Sequence, residues 1–217
     1  MKTALLLVGV TTPERFAEIP EGGAAVFLVG FPGNPRSLEP DRIAALIGEL
    51  PNGIEAWGAV RDPTPERIRH LYEEVGLDRL LVYGRIPEGL EFLEIHHLVP
   101  SLPVPVAGSG GAAPAVPPAE DYARLHLDAV GPGLEQGSPE RPDWEICARL
   151  VDAHPGRKFT LGGGIGPENV AEALATVRPW GVSVGASVES APGRIDPDRF
   201  GAVRAAIEAF EAAARGG

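Results

Sequence analysis

Residues 157–170 read RKFTLGGGIGPENV. A short apolar run ends in Gly162, Gly163 and Gly164, and a proline-led helical stretch follows. Glycine tolerates a left-handed backbone and leaves its amide hydrogen uncovered. The start of a helix favours negative charge. The turn therefore either reverses the chain and nothing more, or it holds an anion. Its place in the order of elements decides between the two.

Short apolar runs alternate with amphipathic stretches along the chain. The runs are TALLLVGV (3–10), AAVFLVGF (24–31), IEAWGAV (54–60), RLLVYG (79–84), VPVAG (104–108), RLHLDAV (124–130), KFTLGG (158–163) and GVSVGAS (181–187). The stretches are TPERFAEI (12–19), EPDRIAALIGEL (39–50), TPERIRHLYEEV (64–75), EGLEFLEIHHLV (88–99), AEDYARL (119–125), PDWEICARLVDAH (142–154), PENVAEALATV (167–177) and DPDRFGAVRAAIEAFEAAA (196–214). Near-continuous apolar strands are the mark of a parallel sheet covered on both faces. Proline at the first helical position followed by an acid suits a helix start. Eight strand–helix pairs predict an α/β chain, a single-domain (β/α)8 TIM barrel over residues 1–217. A doubly wound open sheet is the alternative, but no GxGxxG follows the first strand. The weakest unit is the fifth, where GSGGAAPAVPPAEDY (108–122) reads as a loop at the barrel top.

Composition narrows the function. The net charge of -11 argues against nucleic acid, although a few arginines in a cleft can still bind a small anion. Cys147 is the one cysteine, so no disulfide forms within the chain. No apolar run approaches the roughly 20 residues that span a bilayer, and the first strand lacks the flanks of a signal peptide, so the expected location is the cytoplasm. Lys2 and Lys158 are the only lysines, and both fall at the starts of strands, away from the catalytic face. A Schiff-base aldolase is thereby excluded.

In such barrels the working face lies at the C-terminal ends of the strands, and loops seven and eight commonly hold phosphate. The glycine run follows strand seven, and GASVES (185–190) follows strand eight. Gly163, Gly164, Gly185, Ala186 and Ser187 are therefore the expected phosphate cup. Arg36, Arg61 and Arg85 follow strands two, three and four and offer guanidinium forks to a second anionic group; salt-bridged loop arginines are the other reading. Asp128 ends a buried strand, where a carboxyl group is either catalytic or a loop cap. His126 shares its face and is either a proton relay or a hydrogen-bonded core histidine. His96 and His97 carry no metal-ligand spacing. No metal and no cofactor are expected.

The segment TLGGGIGPENVAEALATVRPWGVSVGASVESAPG (160–193) resembles the C-terminal region of phosphoribosylanthranilate isomerases, which typically read LAGGLxPENVxxAI…RPxGVDVSSGVExxPG. LLVGVTTPE (6–14), GFPGNPRSLEPDRI (30–43), LHLDAV (125–130) and PDWEICARL (142–150) are similar to further family segments, in the same order. The resemblance implies an Amadori rearrangement of an aminoaldose phosphate to a ketose. In the family a strand-one cysteine is the general base and a strand-six aspartate the general acid. The aspartate matches Asp128, so the resemblance implies that Asp128 is the acid and that Arg36 contacts substrate. The cysteine position holds Val8, which cannot take a proton, and Cys147 lies on a helix. The family's QLHG is LVYG here, with Leu81 and Tyr83, and its VDVSSG is VSVGAS, with Ser183 in place of the acid. The expectation is an isomerase-like barrel that binds a phosphorylated small molecule as a monomer or homodimer, with no nucleic acid and no membrane. A non-catalytic phosphometabolite-binding paralogue is the alternative.

Overall fold

Eight of the apolar runs become eight parallel strands. In the computed structural model, which describes residues 2–130 and 140–216, these are β1 (Ala4–Val8), β2 (Ala24–Val29), β3 (Glu55–Arg61), β4 (Arg79–Tyr83), β5 (Leu98–Pro105), β6 (Arg124–Val130), β7 (Lys158–Leu161) and β8 (Gly181–Val184). Each strand pairs in parallel with the next, and β8 pairs with β1, so the sheet closes into a ring. The open-sheet alternative is thereby removed. Among the described residues no helix is long and apolar enough to cross a membrane.

Side chains alternate across the strands. Leu5, Leu7, Ala25 and Phe27 point outward into the layer shared with the helices. Ala4, Leu6, Val26, Leu28, Trp57, Ala59, Leu81, Tyr83 and Val99 fill the interior along β1 to β5. The other half of the interior differs. Ser101, His126 and Thr160 are register partners on β5, β6 and β7, and all three are buried, as are Asp128 and Ser183. The barrel thus has an apolar sector facing a polar one. Its floor is a charged plug. Glu55 accepts hydrogen bonds from Arg79 at 3.1 Å and Arg124 at 3.0 Å, and the Arg124 guanidinium lies 4.7 Å from the Trp180 ring centre.

Among the described residues five α-helices cover the ring: α1 (Pro40–Ile47), α2 (Pro65–Arg69, continuing as a π-turn to Glu74), α3 (Trp144–Ala153), α4 (Val170–Val177) and α5 (Pro197–Gly216). Three expected helices do not form. Residues 12–19 give only a 3-10 turn at Phe16–Glu18, because Pro20 forces Ile19 into an extended conformation. Residues 88–99 give a 3-10 turn at Ile95–His97. Gly89, at φ 79°, breaks the run, and Leu98 and Val99 belong to β5 instead. That strand begins six residues before the expected VPVAG, because Pro100, Pro103 and Pro105 disguise it as a loop. Residues 119–125 form turns after Pro117 and Pro118, and their last two residues start β6.

Candidate active site

A cavity of about 350 Å³ opens at the C-terminal ends of the strands. Its wall includes Val8 and Gly9 from β1, Phe31, Asn34 and Arg36 after β2, Tyr83 from β4, and His126 and Asp128 from β6. The turns after β7 and β8 complete it with Gly163, Gly164, Gly185, Ala186 and Ser187. The expected aspartate, the expected glycine cup and Arg36 therefore meet around one space. Arg61 and Arg85 are exposed and lie outside its wall. The Arg61 guanidinium stands 5.8 Å from the centre of the Phe31 ring, and the backbone N–H of Arg85 donates to Asp62 Oδ1 at 2.7 Å.

The three glycines have separate reasons. A Cβ at residue 162 would fall 2.6 Å from both Cε1 and Nε2 of His126 and 2.8 Å from Ser183 Oγ. Glycine there makes room for the imidazole. Gly163 and Gly164 take φ values of 74° and 62°, in the left-handed region. A Cβ at 163 would also lie 2.7 Å from the carbonyl oxygen of Glu140 and 3.1 Å from Asp128 Oδ1. The side chain of Asn169 holds the turn from below, donating to the Gly164 carbonyl at 2.9 Å and accepting from the Gly166 N–H at 2.9 Å. The Ser187 hydroxyl donates to the Ile165 carbonyl and ties the two cup turns together.

Asp128 is 1% exposed, and its Oδ1 accepts the N–H of Ala129 at 2.9 Å. Burial, and then the neighbouring Asp128 carboxylate, hold the Tyr83 phenol well above its ordinary pKa, so it stays protonated. His126 is 2% exposed, and burial lowers its pKa from 6.5 to about 4. Its Nδ1 is buried without a hydrogen-bond partner. Tyr83 meets the imidazole edge-on, with ring centres 6.3 Å apart.

Arg36 has a partner that sequence reading did not name. Its Nε lies 2.8 and 2.9 Å from the two oxygens of Glu189, and its Nη2 also donates to that carboxylate. Hydrogen bonding to Glu189 raises the Arg36 pKa. Gly9, at φ 80°, lets the arginine stem pass, since a Cβ there would meet Arg36 Cδ at 2.7 Å. An acid inside the small-residue run GASVES was the available signal. A separation of 153 positions between the partners hides it.

Cys147 is buried on α3, away from the cavity wall, and burial pushes its thiol up to about 12. Glu94, His96 and His97 come within 4.8 Å of one another. Both ring nitrogens of His97 are already committed, Nδ1 to the Asp78 carbonyl at 2.8 Å and Nε2 to the Tyr72 hydroxyl at 2.9 Å.

Comparison with known proteins places this geometry. Residues 58–203 match the family model described as N-(5'phosphoribosyl)anthranilate (PRA) isomerase. The N-(5'-phosphoribosyl)anthranilate isomerase of Paramagnetospirillum magneticum is 33% identical across 100% of this chain and 99% of its own. The crystal structure of phosphoribosyl anthranilate isomerase from Thermus thermophilus superposes with a TM-score of 0.75 at 28% identity, covering 96% of this chain and 100% of that one. A phosphoribosyl anthranilate isomerase solved with reduced 1-(o-carboxyphenylamino)-1-deoxyribulose 5-phosphate shares the fold, with a TM-score of 0.70 at 23% identity over 95% of this chain and 99% of that one.

Proposed function

This chain belongs to the phosphoribosylanthranilate isomerase family, and on that premise we propose that it is an aldose–ketose isomerase of the Amadori type, acting on a phosphoribosyl substrate. The observation that carries the reading is the pairing, in one cavity, of a buried carboxyl group with turns built for an anion. Gly163, Gly164, Gly185, Ala186 and Ser187 receive the phosphate. Gly163 and Gly164 take the left-handed backbone that leaves amide hydrogens uncovered, and the 3-10 turn Ala186–Val188 starts at the same cavity wall. Phosphate binding here fixes the sugar with its ring oxygen near Asp128.

Asp128 is the general acid. It protonates the ring oxygen as the ring opens, a step that needs the carboxyl form. Asp128 is buried at the cavity wall beside Tyr83, His126 and the glycine turn, within reach of a bound sugar. Arg36, already bound to Glu189, presents its remaining N–H groups at the cavity wall to the aglycone. Arg61 and Arg85 belong to the rim, where they draw a doubly anionic ligand toward the mouth. Every residue named lies on one chain, so a monomer and a homodimer serve alike. A water-soluble phosphosugar fits a cytoplasmic setting.

The test is turnover of N-(5'-phosphoribosyl)anthranilate by the purified chain, with Asp128→Asn beside it. Loss of about 100-fold or more in kcat, with affinity for the phosphorylated product unchanged, is expected for a proton donor. Turnover that survives Asp128→Asn rejects the assignment. Saturable binding without turnover in the wild type restores the non-catalytic alternative.

A further inference from the structure

The proposed reaction moves two protons, and the acid accounts for one of them. A second group must take the proton from C2. On the β1 side of the cavity stands Val8, which has no lone pair to offer. Among the described residues, the titratable groups in the wall are Arg36, Tyr83, His126 and Asp128. Arg36 is a cation held by Glu189. Tyr83 is a protonated phenol, able to donate and unable to accept a carbon-bound proton. Asp128 is occupied as the acid. Among the described residues His126 is the group left, and its position fits. It lies two residues before Asp128 on β6, on the same face, so the two side chains enter one cavity at depths about 6.6 Å apart along the strand.

We infer that His126 is the general base of this barrel, taking the C2 proton through Nε2 while Nδ1 keeps its hydrogen inside the barrel. The inference rests on the isomerase reading above. Three observations converge on it. The imidazole edge carrying Nε2 packs over Gly162, where any larger residue would displace it. Nδ1 is buried and has no hydrogen-bond partner. The register partners on either side, Ser101 and Thr160, carry buried hydroxyls that are also unpartnered. Three orphaned polar atoms at one level of a barrel are the setting for a bridging water. Such a water accepts from Nδ1–H and fixes the tautomer that presents a lone pair at Nε2.

The steps balance. The Asp128 carboxyl gives its proton to the ring oxygen as the C1–O bond breaks, and the nitrogen lone pair forms C1=N. His126 takes the C2 proton, and the C2–H electrons form C1=C2 and return the lone pair to nitrogen. The imidazolium then gives its proton to C1. The C2 hydroxyl gives its own to the Asp128 carboxylate as the ketone forms. Both residues end as they began, and no outside reagent is consumed.

The experiment compares wild type, His126→Gln and the double variant Val8→Cys/His126→Gln, with N-(5'-phosphoribosyl)anthranilate as substrate. Loss of about 100-fold or more in kcat with KM unchanged is expected for His126→Gln. A primary isotope effect with C2-deuterated substrate should grow in that variant. The groups facing His126 that titrate are Tyr83 on β4 and Asp128 on its own strand. The acid limb of wild-type kcat/KM should lie near pH 4, where the imidazole is protonated. In the double variant, a thiol on β1 should restore part of the turnover and move that limb up toward about 8, in the thiol range. If turnover in His126→Gln stays within threefold of wild type, the base assignment alone is overturned. An unrescued double variant that is folded by near-UV circular dichroism overturns it too. A wild type with no turnover overturns both this and the function it rests on.

Discussion

Gly162 and His126 lie 36 positions apart in the sequence, yet one exists for the other. A Cβ at 162 would sit 2.6 Å from a rigid buried ring. Gly162→Ala should therefore displace the imidazole, lower stability by about 1–3 kcal/mol as an overpacked core does, and reduce turnover far more than phosphate affinity; urea denaturation and steady-state kinetics check both. His126 also links stability to pH. Its folded pKa is lowered to about 4, from 6.5. Between those values the unfolded chain binds a proton that the folded chain refuses. Stability is therefore fully present above pH 6.5 and falls as pH drops toward 4, by about 3 kcal/mol in all. Below pH 4 this contribution changes no further. His126→Gln should remove this part of the pH dependence from urea denaturation curves recorded across the window. The place of Asp128 at the cavity wall was legible in the sequence, from its position at the end of an apolar strand and from the matching family segment. The Gly162–His126 pairing was not, because parallel register, which no local pattern encodes, brings the two together.

Elements were legible where local chemistry and tertiary context agree. The helix over 142–154 was one such case. Asp143 accepts hydrogen bonds from the N–H groups of Glu145 and Ile146 at 3.0 and 3.1 Å, and Trp144, Ile146, Cys147 and Leu150 form its buried face. Asp143→Ala should cost about 1 kcal/mol of unfolding free energy. A shift in urea midpoint with an unchanged m-value would report it. The first, fourth and fifth connections misled for the opposite reason. Their amphipathic patterns are real, but Pro20, Gly89 and the Pro117–Pro118 pair stop them before a helix can propagate. β5 was read short because its prolines look like turn residues. It is nevertheless an eight-residue strand, paired with β4 and β6. The closure of the ring survived these misreadings, since it depends on the strands and their order rather than on the length of each cover.

At the scale of the molecule, the barrel separates two tasks along its axis. The top holds the cavity, and the floor is closed by charge and aromatic rings rather than by aliphatic packing. Glu55 sits between Arg79 and Arg124, Arg124 lies against Trp180, and the Lys158 ammonium is 5.1 Å from the centre of the same ring. Partial burial disfavours the Glu55 carboxylate, but hydrogen bonds from Arg79 and Trp57 and the charge of Arg124 outweigh it and leave its pKa lowered. A lowered folded pKa means stability that is present above the unfolded value and lost as pH falls through the folded one. The floor should therefore weaken only in acid, as pH falls below the ordinary carboxylate value of 4.5. Glu55→Ala leaves two largely buried guanidinium groups, each 15% exposed, without their shared counter-charge. A fully buried pair broken in this way costs roughly 3–5 kcal/mol. Glu55 itself is 30% exposed, so solvent screening brings the expected loss to about 2 kcal/mol. Since the plug lies at the opposite end of the barrel from Asp128, kcat and KM should stay at wild-type values while the urea midpoint falls. A variant that loses activity without losing stability would show that the two ends of the barrel are coupled.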